Sequence, residues 1–339
     1  MLLFVAAIAL LILIHELGHF LVAKMLGVEI EEFGIGFPPR LVTLFEWKGT
    51  RYTLNWIPLG GFVRPKGEGT PEQPDALRQS PPPVRIAVLL AGPLMNFLAA
   101  VILLASIYHA EGIPDTTRVL IAEVAAGSPA EQAGLRPGDI LLRLNDQPIH
   151  TLGDIPPIIQ SHLGETLSVE VERQGQRLTF QVYARPNPPE GQGAMGVGLT
   201  YPTLSATPAT ALRYGAQGTY EFTRLLLTIP ARMVQGENTG LQLLGYRGMY
   251  EMYQQSRSAD QAEAQPSNTL FFFFQISLSL GLLNLMPIPA LDGGRILMAL
   301  GEWITRRQLP QRVETGLNFI GFVLVMGLLI LINLKEWLP

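Results

Sequence analysis

Residues 2–14, LLFVAAIALLILI, hold no charged and no strongly polar side chain, and Phe20-Leu21-Val22-Ala23 continues the apolar run to Lys24. Set into that run is Ile14-His15-Glu16-Leu17-Gly18-His19-Phe20. No other stretch constrains the fold as strongly. An apolar segment of this length spans a bilayer as a helix, because only a helix satisfies its own backbone in lipid. His15 and His19 are four apart, so a helix places them about 40° from one another, one turn apart on one face. Two imidazoles at that spacing can bind one Zn2+, and Glu16 beside them can serve as general base towards water activated there. With a rise of about 1.5 Å per residue, His15 lies roughly two-thirds of the way through a hydrocarbon layer of about 30 Å. Ionisable groups at that depth oppose insertion, so they are functional by default and face protein or water. The plainer alternative is a chance HExxH string whose histidines only pack. Three ionisable groups within five residues of a spanning segment favour the metal.

Composition narrows the class. The chain has 339 residues, room for two or three domains, and is 48% hydrophobic but only 15% charged. A net charge of −4 with no basic stripe argues against nucleic acid as a partner. With no cysteine, disulfides, thiolate zinc sites and a cysteine nucleophile are excluded. The N-terminus lacks a basic n-region and a small-x-small cleavage site, and cleavage would discard the histidines, so it reads as an uncleaved anchor.

Residues 1–27 form the first span. In 28–85, alternation over Leu41–Trp47, a turn at Lys48-Gly49-Thr50 and a return over Arg51–Ile57 predict a β-hairpin. It either dips into the membrane beside the metal helix, shielded by protein or water, or lies at the interface. A tight loop, Pro58–Phe62, follows, and 67–83 reads as a linker rich in Gly, Pro and Glu. The second span, 86–108, contains Gly92-Pro93 and Asn96. Asn96 either stabilises a packing kink or stands near the metal and holds a substrate backbone in extended form.

Residues 115–205 have the character of an extramembrane module. Val119–Val124 and Asp139–Leu144 predict strands, and between them Ser128, Pro129, Glu131 and Gly134 mark a short capped helix. A helix over 153–163 and a hairpin about Gly175 follow. The stretch SPAEQAGLRPGDILLRLNDQPI in this order resembles a PDZ domain of the circularly permuted bacterial type. That resemblance implies a peptide groove between helix 153–163 and a strand near Gly196, Val197 and Gly198, binding peptide termini by strand addition; the alternative is a module that only blocks access. Residues 206–268 predict an extramembrane or interfacial linker region with helical parts, polar and mobile over 255–268.

The third membrane segment, 269–300, passes through Asn284-Leu285-Met286-Pro287-Ile288-Pro289-Ala290-Leu291-Asp292-Gly293-Gly294. A zinc site built on two histidines needs one more protein ligand, and Asp292 is the best-placed carboxylate; otherwise it caps the helix that starts near Gly293. The fourth span is 316–334. Seven Lys/Arg lie in the first loop, and Arg306, Arg307 and Arg312 lie between spans three and four, whereas only Lys335 follows span four. Both loops are therefore expected in the cytoplasm, with the metal towards that side. The expected fold is a polytopic α-helical membrane protein of four transmembrane helices, with an inserted α/β PDZ-like domain and a membrane-associated β-hairpin.

The four motifs together, His15–His19, Gly92–Phe97, the PDZ-like insert and Asn284–Gly294, resemble the site-2 proteases. These are zinc intramembrane metalloproteases, and the similarity is to the bacterial type that clips anti-sigma factors and remnant signal peptides. The resemblance spans nearly the whole chain. It implies one Zn2+ per chain held by His15, His19 and Asp292, with Glu16 as catalytic base and Asn96 and Asn284 in substrate handling. It further implies single-span membrane proteins as substrates, a multi-pass location in the bacterial inner membrane, and an extracytoplasmic PDZ-like domain. Residues 34–62 are similar to the hairpin that presents substrate as an extended strand. The chain departs in having a single PDZ-like region, and in Leu244-Gly245-Tyr246-Arg247-Gly248-Met249 where a Gly-Pro stretch is usual. Two other classes compete: a membrane scaffold with a vestigial metal site, disfavoured by the intact Glu16, and a metal transporter, disfavoured by the lack of an internal repeat.

Overall fold

The computed structural model of the chain describes residues 1–68, 75–237, 244–263 and 265–337; part of the expected 67–83 linker lies outside them. The chain divides into two compact units, Met1–Ile107 with Leu212–Pro339, and Tyr108–Ala211.

In the first unit, α1 (Leu2–Met25) takes up the apolar run and ends at Gly27, whose φ of +78° a side chain would strain. Two long strands follow, β1 (Ile30–Trp47) and β2 (Thr50–Pro65), joined through Lys48 and Gly49, both at positive φ as a two-residue hairpin turn requires. The hairpin expected over 41–57 is only the outer half of this structure. Both strands bend, at Pro38-Pro39 and near Pro58–Gly60, where missing N–H groups and a positive φ at Gly60 interrupt the ladder. The stretch 30–37 therefore pairs with 51–57 on one side and with 61–65 on the other (Phe33 opposite Tyr52 and Val63). Glu32 locks this inner strand: its buried carboxylate accepts from Arg40 Nη2 at 2.9 Å, from Thr53 Oγ1 at 2.8 Å and from Arg64.

The short helix α2 (Ala76–Gln79), capped by Asp75, leads into α3 (Pro82–Glu111), which carries Pro93 inside it. The second unit then runs β3 (Ile113–Pro114), β4 (Val119–Val124), α4 (Pro129–Ala133), β5 (Ile140–Leu144), β6 (Gln147–Pro148), α5 (Ile155–Ser161), β7 (Thr166–Arg173), β8 (Gln176–Tyr183), β9 (Val197–Thr200) and β10 (Thr203–Leu204). Its main sheet has the order β8-β7-β5-β4-β9, with β6 paired to β5. Val119, Leu141, Leu144, Val169 and Val182 form a fully buried core beneath it. Ser128 Oγ accepts the Glu131 N–H at 3.2 Å, and Gly134 closes α4 at φ +93°.

Asp139 is the charged anchor of this unit, bonded by Arg173 Nε at 2.6 Å and Nη2 at 2.8 Å and by the Arg136 N–H at 2.9 Å. Burial pushes its carboxyl up, but these donors outweigh burial and hold it below the ordinary aspartate value. A depressed folded pKa means that the contribution is present above the unfolded pKa of about 3.9 and is lost as pH falls through the lower folded value. Arg173→Met is therefore expected to destabilise the unit by about 2 kcal/mol at pH 7, with the gap to wild type narrowing below about pH 4. Hydrogen exchange at the β5 and β7 amides of the intact chain measures this, and a gap unchanged at pH 3 would refute it.

The remainder of the first unit is α6 (Pro208–Val234), α7 (Tyr246–Glu263), α8 (Ser267–Asn284), α9 (Asp292–Thr305) and α10 (Gln311–Trp337). The region expected as a linker is thus largely two helices. In α6 the apolar residues form one stripe, not a run. Gly215 lies against Val101 O and Ala105 of α3, and Phe222 packs edge-on to Phe271 and Phe274 of α8. Helix α7 is bonded at both of its ends. Glu336 and Asn333 of α10 accept from the Gly245 and Tyr246 N–H groups at 2.6 and 2.9 Å, and Asp260 accepts from Asn268 N at 2.8 Å.

The third membrane segment consists of two helices. Helix α8 stops at Asn284 and α9 starts at Asp292, since Pro287 and Pro289 cannot donate and Ala290 sits at φ +79°. Among the described residues, three helices, α1, α3 and α10, are long and apolar enough to cross a membrane, against the four spans expected. Helix α8, 18 residues long, is not apolar enough to count among them, with Asn268, Gln275 and Asn284 diluting its phenylalanines and leucines.

Candidate metal centre

Helix α1 carries His15 and His19 on the face turned to α3, and Asp292, the first residue of α9 after the α8–α9 break, meets them there. His15 Nε2 and His19 Nε2 are 3.1 Å apart, and Asp292 Oδ2 is 3.1 Å from the first and 3.3 Å from the second. Four ligands at 2.0–2.1 Å about a tetrahedral zinc stand roughly 3.3 Å from one another, so these three atoms match one face of that tetrahedron. Asp292 Oδ2 is buried and has no hydrogen-bond partner, as an oxygen aimed at a cation would be. His19 Nδ1 donates to Val88 O at 2.8 Å, which leaves its Nε2 lone pair free for the centre. The donor set of two imidazoles and a carboxylate therefore fits Zn2+ with an open fourth position.

Two glycines permit this approach. A Cβ on Gly18 would collide with Ala91 O and come within 2.7 Å of Met95 Cγ. On Gly92 a Cβ would collide with His19 Nε2 and come within 2.8 Å of His15 Cε1. Gly92→Ala is accordingly expected to weaken zinc binding at least tenfold, on the order of the loss when supports of metal-binding side chains are removed. Chelator competition on the purified protein measures it; affinity at the wild-type level would mean that α1 and α3 move apart at no cost to the site.

The centre opens into a cavity of about 310 Å³. Its walls include Glu16, Phe62, Val63, Glu68, Asn284 and Arg295. Of the hairpin, Ile30 of β1 and the 61–65 limb of β2 line this cavity, and the 41–57 stretch that the alternation picks out does not. Glu68, in the stretch that composition marks as linker, is a further wall residue; burial pushes its carboxyl up against the pull of Arg295. Arg295 is legible only in hindsight, one turn along α9 from Asp292.

The other expected site residues fall into three situations. Asn284 lines the cavity while its amide donates to Leu280 O at 3.0 Å. Asn96 does not line it: the residue is fully buried, with its amide 3.1 Å from His15 Nδ1. Gly196, Val197 and Gly198 belong to the other unit, where Val197 and Gly198 pair with Val124 and Glu123 at the β9 edge and Gly196 takes φ +79°.

A family model described as peptidase family M50 matches residues 3–328. The chain belongs to peptidase family M50. It is a zinc metalloendopeptidase of the site-2 protease type and a membrane protein. This M50 chain is 32% identical over 333 residues to a candidate zinc metalloprotease of Clostridium perfringens (strain 13 / Type A), CPE1693, covering 97% of this chain and 96% of that one. It is 26% identical over 417 residues to the regulator of sigma-W protease RasP of Bacillus subtilis (strain 168), covering 98% of this chain and 97% of that one. Among solved structures, the HtrA3 PDZ domain bound to a phage-derived ligand is 27% identical where it aligns, over 18% of this chain and 58% of that one. Its TM-score is 0.17, too low to carry a statement about fold.

Proposed function

We propose that this M50 peptidase cleaves transmembrane segments of single-span membrane proteins, with His15, His19 and Asp292 as zinc ligands and Glu16 as catalytic base. The observation that carries the reading is the triangle of Nε2, Nε2 and Oδ2 at 3.1–3.3 Å on an apolar helix that also bears Glu16. Bound zinc supplies Lewis-acid polarisation of the scissile carbonyl and acidifies water. Glu16 takes the proton of the attacking water and passes it to the leaving amine.

A helix in lipid hides its peptide bonds, so substrate must unwind to be cut. The 61–65 limb of β2 presents Phe62 and Val63 to the cavity, and an unwound substrate adds there as an extended strand. Asn284 at the cavity wall bonds the substrate backbone. Helix α8 completes the fourth crossing, and the arginines of the first and third loops set those loops in the cytoplasm of a bacterial inner membrane. The 108–211 unit is extracytoplasmic and PDZ-like, with peptide termini binding along the β9 edge at Gly196, Val197 and Gly198. It admits substrates trimmed of large outer domains, which anti-sigma factors and remnant signal peptides would satisfy after a first cut.

The test is cleavage of a tagged single-span substrate by the detergent-purified protein, with and without a zinc chelator. Cleavage that the chelator abolishes and zinc restores is expected. Cleavage indifferent to the chelator would overturn the metal assignment, and zinc-loaded protein inert towards every span offered would overturn the substrate class.

A further inference from the structure

The reaction as drawn leaves Asn96 without a role, although it is the most completely enclosed polar side chain near the metal ligands. It sits on α3, is fully buried, and is fixed from behind by α8. Its backbone carbonyl accepts from Ser277 Oγ at 2.8 Å, and a Cβ on Gly281 would lie 3.4 Å from Asn96 Cβ. In the structure the amide nitrogen stands 3.1 Å from His15 Nδ1, while the amide oxygen is buried with no partner. An amide turned by 180° fills the same volume with nitrogen and oxygen exchanged, and the choice is made by its neighbours.

His15 makes that choice. If the amide nitrogen donates to Nδ1, the ring proton resides on Nε2, the atom 3.1 Å from both His19 Nε2 and Asp292 Oδ2, and no lone pair is left for a metal. If the amide oxygen faces Nδ1, it accepts the Nδ1–H and the Nε2 lone pair points into the triangle. Either orientation leaves one amide atom bare, so satisfying the amide does not distinguish them; the ligand set does. Helix α3 then supplies both outer contacts, Val88 O to His19 and the Asn96 amide to His15, eight residues apart on one helix.

We propose that Asn96 is a positioning residue for His15: its amide oxygen accepts the His15 Nδ1–H and thereby presents the Nε2 lone pair to zinc. This rests on His15 being a zinc ligand, and it removes Asn96 from the residues that touch substrate. Outer partners of this kind change metal affinity by 10–100-fold when lost.

The test uses the full-length protein in detergent. Zinc affinity is measured by chelator competition for wild type, Asn96→Leu and Asn96→Asp, alongside the melting temperature of each metal-free protein. Asn96→Leu should weaken zinc binding about 10–100-fold while its metal-free melting temperature stays near wild type. Asn96→Asp, which keeps an acceptor, should restore affinity to within about threefold. Wild-type affinity in Asn96→Leu with a raised KM would overturn the inference and place the amide on the substrate. Wild-type protein that binds no zinc at all would overturn the ligand assignment itself. If Asn96→Leu fails to fold, nitrogen NMR of the wild-type imidazoles decides: a protonated Nδ1 on His15 in the zinc-loaded protein supports the proposal, and a protonated Nε2 refutes it.

Discussion

Glu16→Gln is expected to keep zinc at one per chain and to lower the cleavage rate by about 10²–10⁴-fold. Glutamine preserves the size of the side chain and can still hydrogen-bond, but it cannot take a proton from water. Glu16 is outside the His15–His19–Asp292 triangle, so its replacement leaves the three ligand atoms where they are. It lines the same cavity, next in sequence to His15, and the backbone of Val63 approaches its carboxylate. Cleavage and zinc content must therefore be measured on the same preparation. Near-wild-type cleavage with full zinc would remove Glu16 from the chemistry, whereas loss of zinc together with activity would mean that Glu16 serves the metal and not the proton.

The second large effect concerns a buried ion pair on α3, about one turn before Val88, whose carbonyl holds His19. Arg85, near the start of α3, donates to Glu302 of α9, and both side chains are almost fully buried, at 6% and 3% exposure. Glu302 also accepts the Leu309 N–H at 2.9 Å, and Arg85 Nη2 lies 3.7 Å from Glu314 of α10. One guanidinium thus ties α3 to α9, the helix that starts with Asp292, and to α10. Arg85→Met removes one partner and leaves a buried carboxylate unpaired, at a cost of about 3–5 kcal/mol. The double change Arg85→Met/Glu302→Leu removes both charges and is expected to recover most of that loss, because a well-packed apolar pair rivals a buried ion pair. Thermal unfolding in one detergent measures both. A single variant as stable as wild type would show that water reaches Glu302, and a double variant no better than the single would show that the lost packing, not the charge, is what matters.

Much of the centre can be read along the chain because its chemistry is local. The i, i+4 spacing of His15 and His19 follows from helix geometry, and the apolar run around them follows from bilayer thickness. The turn at Lys48-Gly49 and the capped helix at Ser128–Gly134 are likewise set by residues within a few positions of one another. Asp292 needed a reason from outside its own segment, the demand of a two-histidine site for a third ligand.

The residues that escaped are those whose partners are distant in the chain. Gly18 and Gly92 look like ordinary helix residues until α1 and α3 are brought together, when each marks a place where no Cβ fits. Gly34-Ile35-Gly36 gives no strand signal because glycine lowers strand propensity, yet 30–37 is the strand flanked on both sides, and only its pairing with 61–65 brings Phe62 and Val63 to the cavity. Glu68 and Arg295 carry no local signal at all. Asn96 could be recognised as polar in an apolar helix but not assigned a task, since a side-chain amide serves a ligand and a substrate equally well until its neighbour is known.

Membrane character and the paired His15 and His19 with Glu16 beside them are thus written in short-range spacing and hydropathy, which the backbone of an isolated helix already enforces. Which side chains touch the reacting centre, which limb of the hairpin faces it and which residues only hold the ligands in place depend on the packing of α1 against α3 and on the break between α8 and α9. Those contacts join residues tens to hundreds of positions apart, and no local propensity encodes them.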